Sequence, residues 1–561
     1  APFLLEIGTE ELPAGDVASA LKQLQEAAPA LLKEARLAYH ELKVVGTPRR
    51  LAVIATGLAT RQADLERTVK GPPARAAYDA LGNPTKAAEG FARSQGVPVD
   101  SLVRRMEGGG EYVFAVKIDP GRPALDVLAE KLPQLIAGLR FEKTMRWNAS
   151  GVAFSRPIRW LVALLGDRVI PFEYAGVASG RVSRGLRPQG SPEIEIAQAS
   201  DYLALMAKNG IVVDREARRQ EVKRQVEQAG AILDARDDAL LDEVTDLVES
   251  PVAFVGSFEA GYLSLPGDVL ITVMKKHQRY FPVRAAGSKG LKPYFIAVRN
   301  GDHEHLDLVR AGNEAVLRAR FADAAYFYKA DTRKKLEEYL PRLATLTFQE
   351  KLGSMLDKVR RMERLTAWLC RRLEWSEADT GIALRIAHLC KADLATQMVV
   401  EFTSLQGIMG QEYARKSGED ERVAQGIYEH YLPRFALDSM PSLPPARVVG
   451  IADRLDSLAG LFAVGLAPTG SADPYGLRRA AAGLVELLCD LSCGLSVREL
   501  LSEAAAGLPV AASAESLAQA WDFVMGRLRQ SLLDEGIRHD VADAVLAERG
   551  DTPDLARQAA R

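Results

Sequence analysis

Apolar positions at two different periods divide the chain. Residues 3 to 9 form a short apolar run that predicts a strand, and Val17, Leu21, Leu24, Ala28 and Leu32 then repeat at helical spacing. The stretch LKVVGTPRRLAVIA predicts a pair of strands interrupted at Pro48, because proline removes a ladder donor. A short helix is expected to end at Gly96, and EYVFAVK at 111 to 117 alternates as a strand. Residues 200 to 230 read as a charged helix whose mixed signs suit a solvated face. Two further pairings follow: a helix then a strand up to Phe258, and a helix that runs into a strand around MKKHQRYFP. A long helical region begins near Ala311, and beyond about Asp331 the pattern is helical throughout, with proline-rich loops at 441 to 445 and near 468 to 474. Leu394, Met398, Phe402, Leu405 and Met409 form one stripe that predicts an amphipathic helix, with Asp393, Gln397 and Glu401 beside it as either a packing network or a site.

These elements predict a multidomain α+β protein: N-terminal α/β modules, then a mostly α-helical domain and a C-terminal helical segment. The expected divisions are an α+β domain at 1–135, a central α+β region at 136–330, a helical domain at 331–500 and a last helical section at 501–561. The chain stops in a helical context, which reads as a truncation.

Composition narrows the classes. Seventy-two basic and 74 acidic side chains leave a net charge of −2, so any nucleic-acid surface must be a local patch. Four cysteines without a CxxC pair fit neither a zinc ribbon nor a disulfide framework, and a reducing cytoplasm is the expected home. No signal peptide or membrane span is read from the sequence.

Several residues are candidates for chemistry. Arg49 and Arg50 at a turn could grip phosphate or be solvated. Arg146-Trp147 and Arg159-Trp160 suit base stacking with phosphate contact, or else are core tryptophans beside ion-paired arginines. Lys275, Lys276, His277 and Arg279 precede Tyr280 and Phe281 in the densest basic-aromatic cluster of the chain. His277 has no nearby acid in sequence to orient it as a base, so a hydrogen-bonding or RNA-contacting role is expected. Arg478 and Arg479 open a helix after a turn, where pairing with Asp473 or Asp453 competes with a binding role. No catalytic residue is assigned. No P-loop, GxSxG elbow, HExxH helix or Rossmann glycine run is present, so a large binding subunit is expected, with the chemistry done elsewhere.

Asp393, followed some sixty residues later by IADRLD, resembles the HD superfamily of metal-dependent phosphohydrolases. Ala392 stands where the His-Asp pair would put an imidazole beside Asp393, so a retained fold without its metal ligands is expected and no metal is assigned. A working phosphohydrolase acting on nucleotides or RNA ends remains the alternative, and a purely structural scaffold is a third reading.

Ten segments together are similar to one family. They are EIGTEELP at 6–13, TPRRLA at 47–52, KTMRW at 143–147, RPIRW at 156–160, MKKHQRYFP at 274–282, AGNEAVLRAR at 311–320, KADLATQMVVEF at 391–402, QGIMG at 406–410, IADRLDSLAG at 451–460 and DPYGLRRAA at 473–481. In this order they resemble the β subunit of bacterial glycyl-tRNA synthetase. That resemblance implies an α2β2 ligase whose α subunit activates glycine with ATP and Mg2+, while the β subunit supplies much of the tRNA(Gly) recognition and carries no cofactor. It also implies a degenerate HD-like domain and a C-terminal anticodon-binding domain, here only begun around 515 to 561. The expected tRNA or subunit contacts are Arg146, Trp147, Lys275, Lys276, Arg279, Arg478 and Arg479. One departure is Arg184-Gly185-Leu186-Arg187-Pro188, where the family commonly has a Gly-His-Arg-Phe-like run, so no histidine contact carries over.

Overall fold

The computed structural model describes residues 1–79, 81–285, 290–470 and 472–561; position 471, in the expected loop at 468 to 474, lies outside them. The chain forms two compact units. One comprises Ala1–Ser257 and Gln278–Glu314, the other Phe258–His277 and Ala315–Arg561.

The first unit is built on a seven-stranded sheet. Its strands lie in the order Glu41–Thr47, Arg50–Thr56, Phe3–Thr9, Ile158–Leu165, Val177–Gly180 and Glu173–Tyr174, with Arg168–Val169 also paired to Ile158–Leu165. Most pairings are antiparallel, and Val177–Gly180 runs parallel to its neighbour. Thr47 pairs with Arg50 across the Pro48-Arg49 turn, so the proline sits where no ladder donor is needed.

Both faces of the sheet are covered, which is why Phe3–Thr9 is buried at every position rather than at alternate ones. On one face Phe3, Leu5 and Ile7 meet Val17, Leu21, Leu24, Ala28 and Leu32 of the Ala14–Glu34 helix and Leu128, Leu132 and Ile136 of the Ala124–Gly138 helix. On the other, Leu4, Val162 and Leu164 meet Tyr202, Met206, Ile211 and Val213.

Besides a two-stranded ladder of Val182–Arg184 with Glu193–Glu195, two three-stranded sheets belong to this unit. Leu65–Pro73, Gly110–Asp119 and Val103–Glu107 form one, packed on the helix Lys86–Gln95, which ends at Gly96 in a left-handed conformation (φ 67°). Pro251–Ser257, Leu291–Asn300 and Phe281–Arg284 form the other, against the helix Arg215–Gln228.

The expected charged helix at 200 to 230 is two helices, Tyr202–Lys208 and Arg215–Gln228, and the second is not simply solvated. Arg218 is completely buried, its Nε donating to the Thr245 carbonyl at 2.9 Å, because this helix packs on both a helix and a sheet.

Among the described residues the second unit is mostly helical, with a ladder between Thr347–Gln349 and Gly353–Ser354 and an isolated bridge between Thr469 and Ala472. Its centre is the helix Pro444–Ala463, in which 15 of 20 residues are buried, Arg454 and Asp456 among them. Around it pack Met355–Arg372, Glu377–Leu389, Leu477–Leu491, Val497–Ala505 and Ala514–Asp534. None of the described helices is long and apolar enough to cross a membrane.

The single amphipathic helix expected over 394 to 409 is instead a broken series: a 3-10 turn at Ala392–Ala395, a five-residue helix at Gln397–Glu401, another turn at Thr403–Leu405 and a helix at Ile408–Ser417. Buried carboxylates cause the breaks. Asp331 accepts the amides of Gln397 and Met398, and Asp393 accepts those of Gly407 at 2.6 Å and Gly410 at 3.0 Å, starting two separate helices. Asp393, Gln397 and Glu401 therefore do not form a ladder on one helical face.

Candidate nucleic-acid interface

Alternation along the first strand points Glu6 to the opposite face from Ile7, and there it accepts hydrogen bonds from Trp160 Nε1 and from Ser183 Oγ, the latter at 2.6 Å. Arg50 lies in the same layer, fully buried. Its Nε donates to Glu249 Oε1 at 3.0 Å, and its Nη atoms to Ser183 Oγ and the Arg184 carbonyl. Burial works against the Arg50 charge, yet Glu249 and Glu6 raise its pKa above the usual arginine value. Arg49, also buried, donates to the Gly185 carbonyl and Ser191 Oγ. Both guanidiniums lie over the Trp160 ring, 5.6 and 5.7 Å from its centroid.

This arrangement corrects both readings of the Arg49-Arg50 pair, which neither faces solvent nor stands open to phosphate. Trp160 is core, and a Cβ at Gly8 would fall 1.9 Å from its ring, so the strand needs glycine there.

Arg159 is exposed and pairs with Glu10 at 2.8 Å. Trp147 is half-buried against the sheet core, and the exposed Arg146 donates to the Gly151 carbonyl of its own loop.

In the second unit the Gly267–Thr272 helix continues into a π-helical turn over Val273–His277, which carries a half-buried Lys275 and an exposed Lys276. The His277 ring packs edge-on against Phe402, 5.1 Å between centroids. Arg279 belongs to the other unit, has a left-handed backbone (φ 58°) and donates to Glu243 at 2.9 Å. Tyr280 stacks on Phe295 and donates to Asn313; burial pushes its phenol up to about 12. The basic-aromatic cluster of the sequence is therefore divided.

A second buried charge centre surrounds Asp453 in the helix Pro444–Ala463. Lys358 and Lys391 bring their ammonium groups to its two oxygens at 2.9 and 2.7 Å, and Lys358 also reaches Asp456 at 3.2 Å, where Arg361 binds. His430 Nδ1 lies 2.7 Å from the Ile427 carbonyl, which requires Nδ1–H; Nε2 then accepts from Lys391 at 2.9 Å. Burial and Lys391 hold the His430 pKa well below its usual value, so the ring is neutral. Although burial opposes ionisation of Asp453, Lys358 and Lys391 hold it well below the normal carboxylate range. Burial pushes Asp393 the other way, to about 6.

Asp453 opens onto a pocket of about 290 Å3 whose wall includes Tyr431, Arg434, Arg454, Tyr475 and Arg479. Arg454 spends its guanidinium on the carbonyls of His430, Tyr431, Leu432, Pro433 and Gly450, which fixes the wall. Arg478 and Arg479 begin the helix Leu477–Leu491. Asp473 accepts the backbone amides of Leu477 and Arg478 rather than a guanidinium, and Arg478 Nη2 donates to the Gly470 carbonyl at 2.6 Å. Of these two arginines, Arg479 is the one that lines the pocket.

The charge centre is not a metal centre. Ammonium groups occupy both oxygens of Asp453, one oxygen of Asp393 is committed to backbone amides, and among the described residues no group of His, Cys, Asp and Glu is placed to hold a metal ion. Burial pushes the Cys390 and Cys489 thiols up to about 12, away from the thiolate form a nucleophile needs. The phosphohydrolase alternative finds no support here. The sequence could not show that Lys358, Lys391 and Asp453 meet, because they are separated by 95 positions in one case and 62 in the other.

Comparison with known proteins gives the chain a family. The family model described as glycyl-tRNA synthetase beta subunit matches residues 3–547. The chain is similar to the glycine--tRNA ligase beta subunit of Desulfitobacterium hafniense (strain DSM 10664 / DCB-2), with 46% identity across 97% of this chain and 80% of that protein. It is 47% identical to the same subunit of Desulforudis audaxviator, across 98% of this chain and 80% of the relative. A glycine--tRNA ligase of Arabidopsis thaliana, designated chloroplastic/mitochondrial 2, is 44% identical across 100% of this chain and 52% of its own length. The chain belongs to the glycyl-tRNA synthetase beta-subunit family.

Proposed function

We propose that the chain acts with a catalytic α subunit, in an α2β2 assembly, in the ATP-dependent attachment of glycine to tRNA(Gly), and that its own part is to bind and recognise the tRNA. The observation that carries this reading is the family match over residues 3–547. ATP and Mg2+ act on the α subunit in this scheme, and the complex works in the cytoplasm. Glycine offers almost no side chain to select, so discrimination leans on the tRNA, and a large RNA-reading subunit meets that need.

The helical unit is read as a degenerate HD-like domain. Two lysines take the place of a cation at Asp453, and this supports the loss of metal chemistry. Residues 501–561 are read as belonging to an anticodon-binding module. Arg146, Trp147, Lys275, Lys276 and Arg479 are the preferred tRNA or subunit contacts. Arg279, which pairs with Glu243, and Arg478, which donates to the Gly470 carbonyl, complete the set of candidates.

The test is glycylation of tRNA by an α subunit of this family, with and without the chain. Activity that requires both is expected. No stimulation of α by the chain would overturn the assignment.

A further inference from the structure

We propose that the pocket above Asp453 binds a single nucleotide through its phosphate and base, a reading that deepens the proposed RNA-binding role by naming a site for it. Charge is the first argument. Three arginines, Arg434, Arg454 and Arg479, line this pocket against one acid, Asp453, whose carboxylate is already held by the ammonium groups of Lys358 and Lys391. The lining is therefore cationic towards anything that enters, and an anion is the ligand it favours.

The three arginines are not equivalent. Arg454 is consumed by five backbone carbonyls, and Arg434 bonds Asp438 and Tyr428. Arg479 is exposed, and its guanidinium lies across Gly476, where a Cβ would come within 3.0 Å of Nη2. Gly476 has φ 66°, so both its backbone and its missing side chain let that guanidinium lie close to the turn. Arg479 is thus the side chain placed to take a phosphate.

Aromatic groups supply the second argument. Tyr475, adjacent to Gly476, is 43% exposed and lines the pocket. The Tyr431 ring forms another part of the wall and is backed by the Lys391 ammonium, 4.0 Å from its centroid. A phosphate-binding guanidinium beside an exposed aromatic ring is the pairing that holds an unstacked base and its backbone. The volume of about 290 Å3 is at the small end of ligand sites, which suits one nucleotide and excludes a duplex. Hydrolysis is not part of the proposal: the Asp453 oxygens are paired, and both His430 nitrogens have partners.

A free nucleotide and an unpaired nucleotide of RNA share this chemistry, so the test uses both. The full chain by itself is titrated calorimetrically with adenosine 5′-monophosphate and with a single-stranded RNA hexamer, with inorganic phosphate as competitor. Arg479→Ala and Tyr475→Ala are each expected to weaken binding about tenfold or more without a change in thermal midpoint, since both side chains are exposed. Arg415→Ala, at an exposed arginine paired with Glu421, is the control and is expected to bind as the parent does. Arg479-dependent binding of the mononucleotide identifies a free-nucleotide site; Arg479-dependent binding of the hexamer alone identifies an RNA site; either supports the proposal. Failure of the parent to bind either probe, or equal binding by Arg479→Ala and the parent, overturns it. The titration needs no α subunit, so a failure to stimulate glycylation bears on the proposed function and not on this pocket.

Discussion

Each unit of this chain buries a cluster of charges, and the two clusters differ in what lies above them. In the sheet unit, Arg50, Glu249 and Glu6 are completely buried, with Trp160 and Tyr202 packed in the same layer. In the helical unit, Lys358, Lys391 and Asp453 are nearly as buried, but Asp453 keeps 16% of its side chain exposed and forms part of a pocket wall. Similar side chains thus do different work. A sealed cluster fixes the relation of strands and loops distant in sequence, whereas an open one also sets the electrostatic character of a surface. Burying charge is costly in either place, so the sealed cluster is expected to show its role in stability and the open one in both stability and binding.

The largest expected effect breaks the sealed cluster. Arg50→Met leaves Glu249 buried without its main partner and should destabilise the sheet unit by about 3–5 kcal/mol, read from urea unfolding. A loss below about 1 kcal/mol would mean the cluster is solvated after all. In the open cluster, Lys391→Met should cost less, about 2 kcal/mol, because Lys358 still holds Asp453, and Asp453→Asn in the same chain should recover part of the loss.

Acid sharpens the contrast further. His430 is held neutral in the fold, so the unfolded chain gains its proton first and stability falls as pH drops below about 6.5. Asp393 acts in the opposite sense: its folded pKa, raised to about 6, takes up a proton before the unfolded chain does, returning stability between about pH 6 and 4. Asp393→Asn should therefore lose stability more steeply than the parent across that window, by about 1 kcal/mol or more in unfolding measured against pH. Parallel curves would remove Asp393 from the account.

The smallest effect concerns the surface. Lys275→Ala with Lys276→Ala should weaken tRNA binding and reduce the slope of affinity against salt by roughly 1–2 with little change in stability. An unchanged slope across a salt series would place those lysines outside the interface.

What the sequence reveals and hides follows the same division. The helix carrying Val17, Leu21, Leu24, Ala28 and Leu32 and the end of a helix at Gly96 were legible because local periodicity and backbone freedom determine them. The hairpin at Pro48 was legible for the same reason. Arg50 was not, since its partner Glu249 is 199 positions away and nothing local distinguishes a buried arginine from an exposed one. The stripe from Leu394 to Met409 misled because apolar spacing survives where helices restart. The carboxylates of Asp331 and Asp393 that cause those restarts act through tertiary hydrogen bonds. Of the candidate interface, Arg479 was visible only as a basic residue opening a helix, and its setting in an arginine-lined pocket came from the fold.

The contrast between a sealed and an open charge centre is tested most directly by the KM for tRNA in glycylation with the α subunit, compared for Arg50→Met and Arg479→Ala at a temperature where both remain folded. The account predicts an unchanged KM for Arg50→Met and a rise of about tenfold for Arg479→Ala. Equal values for the two variants, or a rise confined to Arg50→Met, would contradict it.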